Sequence, residues 1–473
     1  MKRGLRALFL CMMPVLLLAQ PKQSNPPKPL ILTHVTVIDA TGAPASSDMT
    51  VIIIGDRITE IGKTRQVRLP KDAQVVDGTG KFLIPGLWDM HVHWYLKEYL
   101  PLFIANGVTG ARLMWGMPMH QQWRKAIESG SLRGPRLVIA SPIVDGPNPV
   151  WAGSVSVRDD GEARQAVTKA RLDGADFIKV YSRLTKEAYL AIADETKKQA
   201  ISFAGHVPQS ITVAEASDAG QKSIEHLTGI LTACSSREED LRKETDAARG
   251  QRSPNPAGSR QLTRSMLETF NAEKATSLFA RFKRNQTWQC PTLTVLRSVA
   301  FLDDPGLRDD PRLKYMPPSI RAQWDPTKDF RFKDRTKEDF ELARLVFKKQ
   351  LEIVGPMRRA GVEFLCGTDA LNPYCFPGFS LHDELILLVN AGLTPMEALQ
   401  AATRNPARFL NKESELGTVE KGKLADLVLL DANPLEDIRN TQKINAVMVG
   451  GKLIPKSELQ GMLAAVEAAA NKK

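Results

Sequence analysis

Between residues 84 and 403 the chain alternates short apolar segments with longer helical stretches, and it does so eight times. The segments are 87–93, 108–114, 136–141, 176–182, 201–207, 222–228, 287–295 and 362–369. Apolar strands that alternate with helices imply βα units around a parallel sheet buried on both faces. Eight units are what a (β/α)8 TIM barrel needs, and this span exceeds the ~250 residues typical of that architecture. The surplus lies chiefly between the sixth, seventh and eighth segments, where charged helical stretches at 260–285 and 337–359 fall outside the barrel or over its mouth. Long insertions there shape or cover a site, and solvated helices without contact to substrate are the competing reading.

The flanks have a different texture. Strand-like runs at 30–39, 49–54, 57–61 and 74–77 are separated by turn formers such as Asp77-Gly78-Thr79-Gly80, and runs at 425–431, 444–449 and 450–454 repeat that style. Neither flank has enough strands to close a core, so both termini are expected to meet in one small composite β-sandwich. This divides the chain into residues 20–83, the barrel at 84–403, and residues 404–473, which end in an Ala-rich helix from 457. Thr394-Pro395-Met396-Glu397 is a helix start, with a capping threonine, proline at the first helical position and glutamate three residues after the cap.

Lys2, Arg3 and Arg6 precede an apolar run at 7–19 that is shorter than the ~20 residues needed to span a bilayer. Residues 1–19 therefore read as a signal peptide, and the mature protein as periplasmic or extracellular without a stable membrane span; a retained anchor is the alternative. The net charge of +11 is scattered among acids rather than gathered in a basic arm, which argues against nucleic acid as a partner. Cys234, Cys290, Cys366 and Cys375 match no zinc ribbon or redox spacing and are read as structural; an exported chain permits disulfides among them without specifying any.

Of the seven histidines, four fall at the ends of proposed strands. His91 and His93 close the first, in Leu87-Trp88-Asp89-Met90-His91-Val92-His93, and the strand repeat of two puts them on one face, able to hold one metal ion. His206 closes the fifth segment, His226 lies near the end of the sixth, and Asp369 closes the eighth in Cys366-Gly367-Thr368-Asp369. Strand ends of a parallel barrel converge on one face, where such barrels keep their active sites. Imidazole and carboxylate donors suit zinc and similar divalent ions. Lys179, between Ile178 and Val180, must find an anionic partner or lose its charge. An ion pair is one outcome; the other is a neutral amine that takes up carbon dioxide to become a carbamate bridging two metals. His34 and His120 read as ordinary, and His382 as a support or substrate-side residue.

These motifs together resemble the amidohydrolase superfamily, in particular its prolidase-like and imidazolonepropionase-like branch of metal-dependent hydrolases. The resemblance rests on the Pro85-Gly86-Leu87-Trp88-Asp89-Met90-His91-Val92-His93 strand, Lys179, Gly205-His206-Val207-Pro208, Ser223-Ile224-Glu225-His226, the Gly367-Thr368-Asp369 strand end and Gly422-Lys423-Leu424-Ala425-Asp426-Leu427. It implies that His91, His93 and Asp369 bind a more buried metal and His206 and His226 a more exposed one, with carboxylated Lys179 as the bridge. It also implies two divalent ions, zinc by donor type, and Asp369 as the catalytic proton carrier. Tyr181 is then a candidate substrate-side donor, and Arg112 and Arg183 are candidates for a substrate carboxylate. The expected activity is hydrolysis of an amide or other C–N bond of a small molecule, a dipeptide or N-acyl amino acid. Cyclic amide or lactone hydrolysis, or deamination, in the same site is the alternative, and a non-catalytic metal-binding protein is the alternative of another class. A homo-oligomer is compatible with all three.

Overall fold

The computed structural model describes residues 28–249 and 256–472. The segment read as a signal peptide, 1–19, lies outside the described residues. Five strands open the chain: β1 Leu30–Val37, β2 Ser46–Ile54, β3 Arg57–Lys63, β4 Gln74–Asp77 and β5 Phe82–Pro85. Nine follow, β6 Leu87–Val92, β7 Val108–Leu113, β8 Arg136–Ile139, β9 Val144–Asp145, β10 Val155–Ser156, β11 Phe177–Val180, β12 Ser202–Gly205, β13 Ser223–Glu225 and β14 Trp288–Cys290. The last three are β15 Leu427–Leu430, β16 Ile444–Val449 and β17 Lys452–Pro455. This is an α/β fold.

The terminal strands share one sheet in the order β17-β16-β15-β5-β1-β2-β3, with β4 also beside β1. Its seam is the antiparallel pair β5–β15, where Leu83 lies opposite Leu429 and Ile84 opposite Val428. Strand periodicity explains why Leu427-Val428-Leu429-Leu430 is apolar throughout. Leu427 and Leu429 enter the core of this sheet with Leu32, Val51 and Leu83, whereas Val428 and Leu430 face the larger core formed with the helices.

The central strands run parallel. β6, β7 and β8 form one group, and β9, β11, β12, β13 and β14 another, with β10 beside β9. A parallel bridge between Ala140 and Phe177 joins the groups. Bridges from Gln289 to Phe364 and from Val92 to Ala370, together with the Met90 N–H donated to Cys366 O, carry the order from β14 through residues 362–370 back to β6. Inside this arrangement Trp88, Met90, Met114, Val138, Phe177, Ala204, Trp288 and Leu365 form one apolar plug, while Leu87, Leu113, Ile139, Ile178, Phe203 and Ile224 face the helices.

Several segments are shorter than expected, for identifiable reasons. In 287–295 the strand stops at Cys290 and a helix begins at Leu293. Pro291 has no N–H for a ladder, Thr292 is left-handed at φ 49°, and the Glu384 carboxylate accepts from Leu293 N and Thr294 N to cap the helix. Residues 222–228 leave the strand at His226, and 362–369 forms no continuous strand, joining its neighbours through the Gln289–Phe364 bridge and single backbone bonds such as Met90 N–H to Cys366 O. The charged stretch 260–285 is two helices, Pro256–Glu268 and Ala272–Asn285, the second capped by Asn271 through Lys274 N. Helix Lys337–Arg359 and the Thr394–Glu397 capping box stand where the sequence puts them. The four cysteines among the described residues are free and buried, and no helix among those residues is long and apolar enough to cross a membrane.

The β5–β15 seam makes a direct prediction. Leu429→Ala should cost about 2–5 kcal/mol in denaturant unfolding, as large-to-small core changes do, whereas Leu172→Ala, at an 81% exposed position, should change stability by less than about 0.5 kcal/mol.

Candidate metal centre

The mouth of the parallel strands gathers the residues singled out by the sequence. β6 ends at Val92, one residue before His93, and its pairing with β7 slips between Asp89 and Val92. The same-face argument for His91 and His93 therefore does not apply as stated; their rings nevertheless stand 5.3 Å apart between centroids. His91 and His226 are 4.5 Å apart and His206 and His226 4.9 Å by the same measure. Asp369 Oδ1 lies 3.0 Å from His93 Nε2 and 3.5 Å from His91 Nε2, and its Oδ2 is 3.9 Å from His226 Nδ1. His91, His226 and Asp369 form a cluster whose donor atoms could share one ion.

Backbone conformation turns these groups inward. His226 and Asp369 both have φ of 60°, the left-handed region that non-glycine residues rarely adopt and that recurs at functional sites. Gly367 lets the eighth segment approach β6, since a Cβ there would lie 2.6 Å from Cys290 Sγ and 2.8 Å from His91 Cβ. Asp89 fixes the same junction by accepting from Thr368 N, Thr368 Oγ1 and His91 N.

Lys179 shares its strand face with Phe177, so it rises from the apolar plug into the mouth. Its Nζ is buried without a hydrogen-bond partner, as is Nε2 of His91. Burial brings the Lys179 amine down to about 8, against the opposing pull of Glu225 and Asp369. Burial also holds His91 and His206 well below the usual imidazole range and brings His226 to about 4. Burial works against the Asp369 carboxylate, but His226, His93 and Lys179 outweigh it and keep the acid below its ordinary value. The rings of His91, His206 and His226 are thus neutral with lone pairs to offer, and the aspartate is ionised, which is the protonation state that metal ligation needs.

A second layer of residues sets the tautomers. Glu225 Oε2 is 2.7 Å from His91 Nδ1, Ser182 Oγ is 2.9 Å from His206 Nδ1, and Thr292 Oγ1 is 2.6 Å from His226 Nδ1. Thr292 donates its own proton to Pro291 O, so it accepts from His226 Nδ1–H and leaves the Nε2 lone pair free. Glu225 does the same for His91. Outer partners of this type orient metal-binding imidazoles. The donor set and its unpartnered buried nitrogens fit divalent metal.

Arg112 is not a substrate residue. It is fully buried, donates Nε–H to Met90 O and Nη1–H to Ser223 Oγ, and pairs through Nη2 with both Glu225 oxygens at 3.0 Å. Arg183 gives its Nη1–H to Asn148 O, which ties two loops together and leaves that donor unavailable to a carboxylate. Tyr181 does border the site, its ring 4.0 Å from that of His206. His382 is buried and bonded to Thr441 Oγ1 and Asn106 O, a support between elements. Glu225, Ser182 and Thr292 went unassigned in the sequence. A signal existed for Glu225: an arginine inside an apolar strand requires a buried acid, and 223–225 supplies one in an equally apolar strand.

The chain resembles known proteins along most of its length. A family model described as the amidohydrolase family matches residues 326–454. Ochratoxinase of Aspergillus niger is 25% identical, over 78% of this chain and 75% of that enzyme. Among solved structures, a bottromycin amidohydrolase superposes with a TM-score of 0.75 at 22% identity, covering 94% of this chain and 91% of its own. A Xaa-Pro dipeptidase with methionine bound in its active site gives a TM-score of 0.64 at 21% identity, covering 90% of this chain and 100% of that one.

Glu225→Gln should expose the role of the second layer. Leaving Arg112 unpaired should cost about 3–5 kcal/mol of stability, and chelator competition should read a metal affinity weakened about 10- to 100-fold.

Proposed function

We propose that the chain belongs to the amidohydrolase superfamily, that it is a hydrolytic enzyme acting on carbon–nitrogen bonds, and that it cleaves the amide of a dipeptide or N-acyl amino acid. The reading extends to architecture: residues 84–403 are a closed (β/α)8 barrel, and residues 20–83 and 404–473 form a composite β-domain. The run of parallel pairings and bridges from β6 to residues 362–370 supports the barrel, and the β5–β15 seam supports the composite domain.

His91, His93 and Asp369 would hold one divalent ion and His206 and His226 a second, with Lys179 between them as a carbamate. The observation that carries this reading is the set of three buried nitrogens, Lys179 Nζ, His91 Nε2 and His93 Nδ1, that have no hydrogen-bond partner. A buried polar atom left bare is costly, so a site that keeps three is shaped for something else to fill it. An amine brought to about 8 is accessible in its neutral form near neutral pH. That form combines with carbon dioxide, forming the N–C bond and releasing one proton. Two bound ions, zinc by donor type, would supply an acidified water and a polarised carbonyl.

The side chains supply the rest. The ionised Asp369 carboxylate takes the proton of the attacking water and passes it to the leaving nitrogen. His93 Nε2, 3.0 Å from Asp369 Oδ1, fixes the direction of that carboxylate. Tyr181 Oη accepts from Trp151 Nε1 at 2.8 Å, so its own proton is free for the carbonyl oxygen as charge develops there. Burial pushes this hydroxyl up to about 12, which keeps it protonated. Residues 1–19 would direct export, so the protein recovered outside the cytoplasm should begin near Gln20 on N-terminal sequencing.

Purified enzyme should contain close to two divalent ions per chain, and metal-free protein isolated without chelators would refute the centre. Asp369→Asn should lower kcat about 10²- to 10⁴-fold. Lys179→Ala should abolish hydrolysis and regain part of it with formate or acetate, and full activity in that variant would rule out the bridging carbamate.

A further inference from the structure

Each of the first four strand ends of the mouth contributes an aromatic side chain: Tyr95 after β6, Trp115 after β7, Trp151 in the loop after β9, and Tyr181 after β11. They are linked to one another. Tyr95 meets Trp115 edge-on at 6.5 Å, and Trp115 Cζ2 lies 3.6 Å from where a Cβ on Gly153 would stand, two residues from Trp151. Trp151 donates its Nε1–H to Tyr181 Oη, and the Tyr181 ring lies against His206 at 4.0 Å. A fifth ring, Phe330 from the long insertion before helix Lys337–Arg359, stands edge-on to Trp151 at 5.5 Å.

Phe330 is 58% exposed and Tyr95 39%. Single exposed apolar residues need no explanation, but contiguous rings that end at a catalytic mouth mark a ligand surface. Charge decides the kind of ligand. Two cations face the wall: Lys179 Nζ, 5.8 Å from the Tyr181 ring at its inner end and taken up as the carbamate in this reading, and Arg331, 5.3 Å over Trp151, whose three guanidinium nitrogens are engaged, Nε and Nη2 with Asp329 and Nη1 with Asn372 Oδ1. Arg331 braces the rings and is not available to an anion. Asp145 holds the Trp151 loop by accepting from Gly146 N, Val150 N and Arg183 N, so the wall is set before anything binds.

We propose that the wall of Tyr95, Trp115, Trp151, Tyr181 and Phe330 is a subsite for a flat, uncharged aromatic group of the substrate adjoining the scissile amide. This rests on the amide-hydrolase reading and narrows its substrates to aromatic acyl groups or aromatic side chains. Ring stacking adds to area burial, so a planar ring is favoured over a saturated ring of equal carbon count.

The test compares N-benzoylglycine with N-(cyclohexanecarbonyl)glycine on the metal-loaded enzyme, by kcat/KM and by calorimetric Kd with the Asp369→Asn variant. The benzoyl compound should be favoured about three- to tenfold, and Phe330→Leu and Trp151→Leu should each bring the ratio toward one. Phe330 lies at the surface, so its variant should fold even if the Trp151 variant does not. Equal values in the wild type, a preference that survives both substitutions, or binding of neither compound would overturn the subsite. Preferential binding of the benzoyl compound without turnover would leave the subsite standing and sink the hydrolysis of N-acyl amino acids instead.

Discussion

The buried ion pair between Arg112 and Glu225 is the constraint on which the mouth depends. Two charges with no exposed surface sit above an apolar plug, a placement that is costly unless every polar atom is used. Here the guanidinium spans three strands, reaching Met90 O on β6 and Ser223 and Glu225 on β13 from its own position on β7. The carboxylate also accepts from Ser223 Oγ through Oε1, and Oε2 then accepts from His91. The pair thus converts the tight packing beneath the mouth into a fixed ring orientation at its surface, and it does so without touching any reacting group.

Much of the frame could be read from the chain because its signals are local. Apolar strands alternating with helices announce themselves by period, and the helix start at Thr394 announces itself by its capping box. The strand ends were less legible. His226, Asp369 and Thr292 adopt left-handed backbone that no composition rule anticipates, because the surrounding contacts impose it. The second layer was hidden for another reason: Glu225 and His91 are 134 residues apart, and only the return of the chain brings them together. Arg112 illustrates the limit well, since an arginine near a strand end suits substrate binding and internal pairing equally until its partner is seen.

The mouth is asymmetric in chemistry. The strand ends from β12 onward supply His206, His226 and Asp369, the two rings held by hydrogen bonds to Ser182 and Thr292. The earlier ones add linked aromatic rings to the two histidines of the first strand. The insertions give this asymmetry its depth: Trp324 donates to Leu371 O, Ser298 to Pro373 O and Arg331 to Asn372, so the segment after Asp369 is tied down by chain that precedes it. One wall is arranged for proton and charge, the other for shape.

The β5–β15 seam bears on the order in which the molecule comes into being. β5 leads directly into the strand that carries His91, yet its antiparallel neighbour is made of residues 427–430, which are synthesised only after all the central strands. Until then Leu83 and Ile84 lack Leu429 and Val428 opposite them, and β5 has an open edge. A nascent chain truncated before residue 427 would therefore display that edge to other chains, where unpaired strands invite association. The seam therefore closes only after the strands of the mouth have been made.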